Sequence, residues 1–139
     1  MNSSVAQSGH SDTRTEGVRI RVGAAFAAGD SEPGRGLYFF VYRVIITNEG
    51  QEKVKLLSRY WRICDANHEV QEVLGDGVVG EQPELNPGES FEYSSGCPLS
   101  TSWGTMEGHY VMERPSGETF TARIGRFFLA PNTAALSTL

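Results

Sequence analysis

At 139 residues and 39% hydrophobic composition, the chain has the size of one domain and enough apolar side chains to bury a core without disulfide staples. No apolar run approaches the roughly 18 residues that span a bilayer, and Met1 to Glu16 lacks the apolar stretch of a signal peptide, so a cytoplasmic protein is expected. The net charge of −5 conceals an asymmetry: Ile63 to Glu113 holds ten acidic residues and no Lys or Arg (−10), which leaves +5 on the remainder. Such a segment disfavours nucleic acid and anionic membranes as partners, and favours cations or basic protein surfaces.

In chain order, residues 1–16 are polar and aperiodic and read as a disordered tail. Val18 to Val22 alternates apolar and charged residues with a period of two, which makes a strand with one face on a core. Gly29 to Gly34 has the composition of a loop. Leu37 to Thr47 follows as the central core strand, with Tyr38, Phe40, Tyr42, Val44 and Ile46 on one face. Asn48-Glu49-Gly50 turns the chain. Val54 to Asp65 forms another long strand, where strict alternation places Leu57, Arg59, Trp61 and Ile63 on one face and Leu56, Ser58, Tyr60 and Arg62 on the other, with Trp61 as core anchor.

Asp65-Ala66-Asn67-His68 closes a tight turn and Glu69 to Leu74 returns as a short partner strand. Pro83, Pro87 and Gly88 forbid a helix after the glycine-rich loop Gly75 to Gly80. Phe91 and Tyr93 mark a strand that Gly96, Pro98 and Gly104 interrupt. Met106, Tyr110 and Met112 mark another, with a bulge or close backbone approach expected at Gly108. Pro115-Ser116-Gly117 is a turn, and Phe120, Ala122 and Ile124 lead a last strand into Phe127-Phe128-Leu129. No 3.6-residue period persists, so the fold class is all-β: an antiparallel sandwich of immunoglobulin-like shape, spanning 17–131 between the tail and a short C-terminal tail, 132–139. A reducing compartment keeps Cys64 and Cys97 as thiols. Cys64, in an apolar strand, reads as a small buried hydrophobe, with a Cys64–Cys97 disulfide or redox pair as the alternative.

Four separated motifs then occur in order: Arg59-Tyr60-Trp61-x-Ile63-x-Asp65-Ala66-Asn67, Gly75-x-Gly77-Val78-Val79-Gly80-x-Gln82-Pro83, Pro87-Gly88-Glu89-x-Phe91-x-Tyr93-x-Ser95-Gly96 and Gly104-x-Met106-x-Gly108-x-Tyr110. The chain resembles the ApaG (CorD) domain family over roughly Gly17 to Ala130. The resemblance implies a fibronectin type III-like sandwich, an association with cobalt and magnesium resistance, and a protein-binding module, since similar domains occur in an F-box protein and a polymerase-delta-interacting protein. His68 departs from the family's usual glycine, Leu74 from its usual arginine, and Gly125-Arg126 from a proline-rich approach to the last strand.

Three site readings compete. Gly75, Gly77 and Gly80 fit G-x-G-x-x-G, but the dinucleotide mechanism needs a helix N-terminus against the phosphates; here no helix can follow, and Glu72, Asp76 and Glu81 repel an anion. A backbone nest for pyrophosphate or nucleotide stays open, beside the plainer reading that these glycines permit positive φ and close packing in a strand crossing. Asp65, Glu72 and Asp76, with Asn67, Glu69 and Glu81, offer oxygen ligands to a weakly held divalent cation, and His68 a nitrogen, although no metal-binding spacing is present. Catalysis has no support: His109, Ser58, Ser94 and Ser95 form no elbow or triad, His109 reads as a cross-strand partner, and no cofactor is expected. The best-supported function is therefore that of a non-enzymatic module whose partner-binding residues are Val78, Val79, Leu85, Trp103 and Tyr60, apolar side chains in or beside polar turns. The alternative is that Trp103 and Val79 cap the ends of the core. The protein partner is unknown, and homodimerisation by strand pairing is conceivable.

Overall fold

The computed structural model describes residues 9–131, which form the strands β1 (His10–Thr15), β2 (Val18–Phe26), β3 (Tyr38–Asn48), β4 (Val54–Asp65), β5 (Val70–Asp76), β6 (Glu84–Leu85), β7 (Ser90–Leu99), β8 (Gly104–Glu113) and β9 (Thr119–Leu129). One sheet has the order β1-β2-β3-β7; the other runs β5-β4-β8-β9, with β6 on the first residues of β4. All pairings are antiparallel. The expected antiparallel sandwich is what forms. Its core takes the inward faces of both sheets: Ile20, Phe40, Val44 and Ile46 from one, Leu56, Trp61, Met106, Tyr110 and Phe127 from the other. The rings of Tyr42, Trp61 and Phe127 meet across the interface at centroid separations of 5.3 to 6.3 Å. Among the described residues, no helix is long and apolar enough to cross a membrane.

Four expectations need correcting. Residues 10–15, read as tail, form β1. This strand contributes no buried apolar side chain, so periodicity is blind to it; hydrogen bonds hold it instead. Asp12 takes a bidentate pair from Arg19 at 2.9 and 2.7 Å, Thr13 Oγ1 donates to the Arg123 carbonyl of β9, and the Arg123 amide donates to Thr15 Oγ1. The hydrogen bond from Arg19 holds the Asp12 carboxyl below its ordinary range, so this anchor is present at neutral pH and is lost as pH falls through that lowered value. Residues 1–8 and 132–139, the rest of the expected tails, lie outside the described residues.

In β4, strict alternation fails at a register shift between Leu56 and Ser58. The bulge changes the parity, so Leu56 joins Trp61 and Ile63 in the core. Cys64 is half-buried, whereas Cys97 is the buried cysteine, and both are free thiols. Burial pushes the Cys97 thiol up to about 11, so it stays protonated and unreactive near neutrality. Finally, β7 runs through Gly96 and Pro98, where the Phe39 ring of the neighbouring strand lies over Gly96.

The sheet orders decide where the sandwich is open. β1 and β9 are the edges joined by the Thr13, Thr15 and Arg123 bonds, and Gly125 of β9 leaves room for Ser11 and Thr13. The remaining edges, β5 and β7, therefore lie together on the opposite side, each with one flank unpaired among the described residues.

Candidate functional site

The glycine loop is a folded-back hairpin stapled to β4. Val78 and Glu81 exchange amide–carbonyl bonds of 2.8 Å in both directions around a two-residue turn, Val79-Gly80, in which both residues have positive φ (42° and 80°). The Gly77 amide and the Gln82 side chain both donate to the Leu57 carbonyl. Gly77 has φ 61°, and a Cβ there would stand 2.1 Å from the Glu81 carbonyl oxygen. Gly75 leaves space for the Arg59 guanidinium, which donates to the carbonyls of Asp76 (3.1 Å) and Gly77 (2.9 Å). Among the described residues, Arg59 is the cation seen to bind the loop, and it binds carbonyls, while the amides of Val78 and Glu81 are spent within the loop and that of Gly77 on β4. A phosphate cradle needs those amides outward. The glycines serve shape, as the strand-crossing reading expects.

Val79 is a β-branched residue in the left-handed region, a conformation that costs of order 1–3 kcal/mol. Replacing it by glycine is expected to stabilise the domain by about 1 kcal/mol, read as a higher urea midpoint at unchanged slope. His68, the residue that departs from the family's usual glycine, has φ 66° for the same reason: its turn requires a left-handed residue.

The expected partner-binding set separates. Val78 is fully buried beneath the hairpin and Leu85 is buried where β6 pairs with β4, so neither can meet a partner; proximity to a polar turn says nothing about which way a side chain folds. Val79 is 55% exposed and Trp103 41%. Trp103 stacks on Phe128 at 6.0 Å beside Gly104, whereas Val79 lies beyond Asp76 at the opposite end of β4 and β5, about 23 Å away by strand rise. Tyr60 lies between them on the outer face, stacked on His109 at 4.9 Å and donating its hydroxyl to Glu72 at 2.6 Å. His109 is therefore a cross-strand partner.

The expected metal ligands are also apart. Glu72 and Asp76 are about 13 Å apart along one strand. Asp65 is turned to its own loop, where Oδ1 accepts from the amides of Asn67 and Glu69. Among the described residues, no three His, Cys, Asp or Glu side chains gather as a metal-binding group.

The structure instead exposes Leu74 (76%) and Val70 (47%), both on the outward face of β5. Leu74 pairs with Tyr60, which pairs with His109, and these make a semi-apolar row across the sheet; the next row, Glu72, Arg62 and Glu107, is charged, and Glu107 also meets Arg126. Sequence reasoning singled out Leu74 only as a substitution for arginine. The arginine that the resemblance implies at this position would face water, but nothing in that departure says that its strand lies at an open edge.

Between β5 and β7 the open side forms a cleft of about 210 Å³, floored by Tyr42, Trp61 and Met106 and walled by Val73 and Cys97. A second hollow of about 190 Å³ adjoins it, sharing Ile63, Gln71 and Pro98, and is lined at its acidic end by Asp65 and Glu69. Tyr93 and Tyr110 share a hydroxyl–hydroxyl bond of 2.5 Å in the adjoining core, and burial raises both phenols well above their ordinary value, so neither ionises near neutrality.

Comparison with known proteins places these features in a family. The family model for the ApaG domain matches residues 28–114. Protein ApaG of Methylobacterium sp. (strain 4-46) is 53% identical over 115 residues, 83% of this chain and 88% of its own, and that of Sinorhizobium fredii is 47% identical over the same length. A crystal structure of an ApaA protein from Bordetella pertussis superimposes with a TM-score of 0.80 at 42% identity, covering 91% of this chain and 99% of its own.

Proposed function

This chain belongs to the ApaG domain family, and we propose that it works as a non-enzymatic protein-interaction module whose binding surface is the β5 edge with its terminal hairpin. The observation that carries this reading is β5 itself: an edge strand, with one flank unpaired among the described residues, that presents Leu74 and Val70 to water, with Val79 held exposed on a strained turn beside it. Exposed edges with apolar side chains are surfaces that monomers usually protect and that recognition modules use. The association of the family with cobalt and magnesium resistance is compatible with action through a partner, since the carboxylates offered as ligands stand apart.

A second copy is a poorer occupant. Pairing β5 with its own copy would put the carboxylates of Glu72 and Asp76 on both strands of one ladder, with no Lys or Arg on either to offset them. The test is a Leu74→Asp, Val79→Asp double variant, folded by circular dichroism and compared with the wild-type chain in crosslinking capture. Loss of the captured proteins is expected; an unchanged set would count against this edge.

A further inference from the structure

We propose that the cleft between β5 and β7 is the specificity pocket of this edge, and that its occupant is an extended protein segment carrying an apolar anchor residue and a Lys or Arg four residues away. The inference rests on the β5-edge reading and adds to it the chemistry of the partner.

Three observations carry it. A strand added along β5 sends alternate side chains toward the sandwich interior, because successive residues point to opposite faces. At Val73 that direction meets the cleft over Trp61 and Met106. Its 210 Å³ would hold about seven waters at ~30 Å³ each, the bulk of one large side chain. The walls are apolar, with the Tyr42 and Ser95 hydroxyls and the Gln71 amide as the polar groups. An aromatic or large aliphatic residue is what such a lining takes.

Moving along the cleft from Trp61 past Ile63 to Asp65 covers four residues, about 13 Å, and ends between Asp65 and Glu69. A residue four positions from the anchor points the same way and arrives there. Among the described residues, Glu69 forms no salt bridge, and the residues that line this end include no Lys or Arg. Charge complementarity therefore selects a cation at that position over an anion or a neutral side chain.

Blocked synthetic nonapeptides test this directly, with phenylalanine at the centre, lysine at both ends, four residues from it, and threonine elsewhere. Titrated into the labelled whole chain, this peptide is expected to move the amide resonances of Gln71 and Val73 and the Trp61 indole. It is also expected to bind at least ten-fold more tightly than the same peptide with glutamate for lysine or alanine for phenylalanine. Glu69→Lys, at an exposed side chain, is expected to remove the preference for lysine without unfolding the protein.

Equal affinity for the lysine and glutamate peptides, with β5 still perturbed, would overturn the assigned chemistry and leave the edge reading standing. Shifts confined to another surface, or none at millimolar peptide, would overturn the pocket. The capture comparison with the Leu74, Val79 variant then decides the edge separately.

Discussion

Gly108→Ala is expected to destabilise the domain by about 3 kcal/mol, a large part of the ~5–15 kcal/mol that holds a typical domain together. A Cβ at this position would stand 1.9 Å from the Tyr60 carbonyl oxygen, 2.9 Å from its carbon and 3.1 Å from the Trp61 Cα. All three are backbone atoms of β4, so no rotamer change relieves the clash. At the neighbouring register shift between Met106 and Gly108, β9 carries the extra residue, with Gly125 and Arg126 opposite Glu107, so Gly108 sits where the ladder is already irregular. Separating β8 from β4 there would disturb Trp61, and with it the rings of Tyr42 and Phe127 that join the sheets. Gly34→Ala is the control, because nothing lies within 4 Å of its added Cβ and its φ is ordinary. Urea midpoints at unchanged slope give both values. A loss below about 1 kcal/mol at Gly108 would mean that β4 and β8 part far more easily than their packing implies.

Asn48→Leu is expected to cost about 3 kcal/mol through buried groups left unpaired. Asn48 is the buried polar residue at the end of β3, 1% exposed. Its amide nitrogen donates to the carbonyls of Glu52 and Leu85, both at 2.8 Å, and its carbonyl oxygen accepts the Gly50 amide at 2.9 Å. One side chain thereby ties the β3–β4 turn to β6. A leucine of similar bulk keeps the volume and strands all three partners.

Asn48→Asp separates the electrostatics from the shape. A carboxylate there faces two carbonyl oxygens in a dry site, so its folded pKa must rise above the ordinary ~3.9. A raised folded pKa means stability that is present at low pH and lost as pH climbs through the folded value. The aspartate variant is therefore expected to lie closest to the wild type below pH 4 and to fall furthest behind it at neutrality, a comparison made by thermal unfolding at both pH values. A pH-independent gap would place the side chain in contact with water.

The strong signals in the sequence mapped directly onto the fold. Val54 to Asp65 is a strand with those limits, because apolar and aromatic residues run between two turns, one at Asn48 to Gly50 and one at Asp65 to His68. The alternating core face of β3 and the close approach at Gly108 were equally legible. What stayed hidden was structure that hydrophobic period does not encode. β1 is held by Thr13, Arg19 and Asp12 through hydrogen bonds, so its polar alternation looks like a tail. The bulge before Ser58 resets parity in β4, and no residue type there announces it.

The site divided along the same line. At the glycine loop, the acids and the prolines that follow set the sequence against a dinucleotide site, and both signals are local. Exposure did not follow from sequence position: Val78 and Val79 are neighbours, yet the turn buries the first and strains the second outward. Leu74 and the cleft depend on which strands end up at the open edge, a consequence of sheet order, and no local pattern contains it.

The most direct test of the β5 edge compares the proteins crosslinked by the wild-type chain, by Leu74→Asp, Val79→Asp, and by Arg43→Asp, which alters the outer face of the opposite sheet. The edge reading requires that the first variant lose the captured partner and that the Arg43 variant keep it. Retention by the β5 variant with loss by the Arg43 variant would place the binding surface on the other sheet and contradict it.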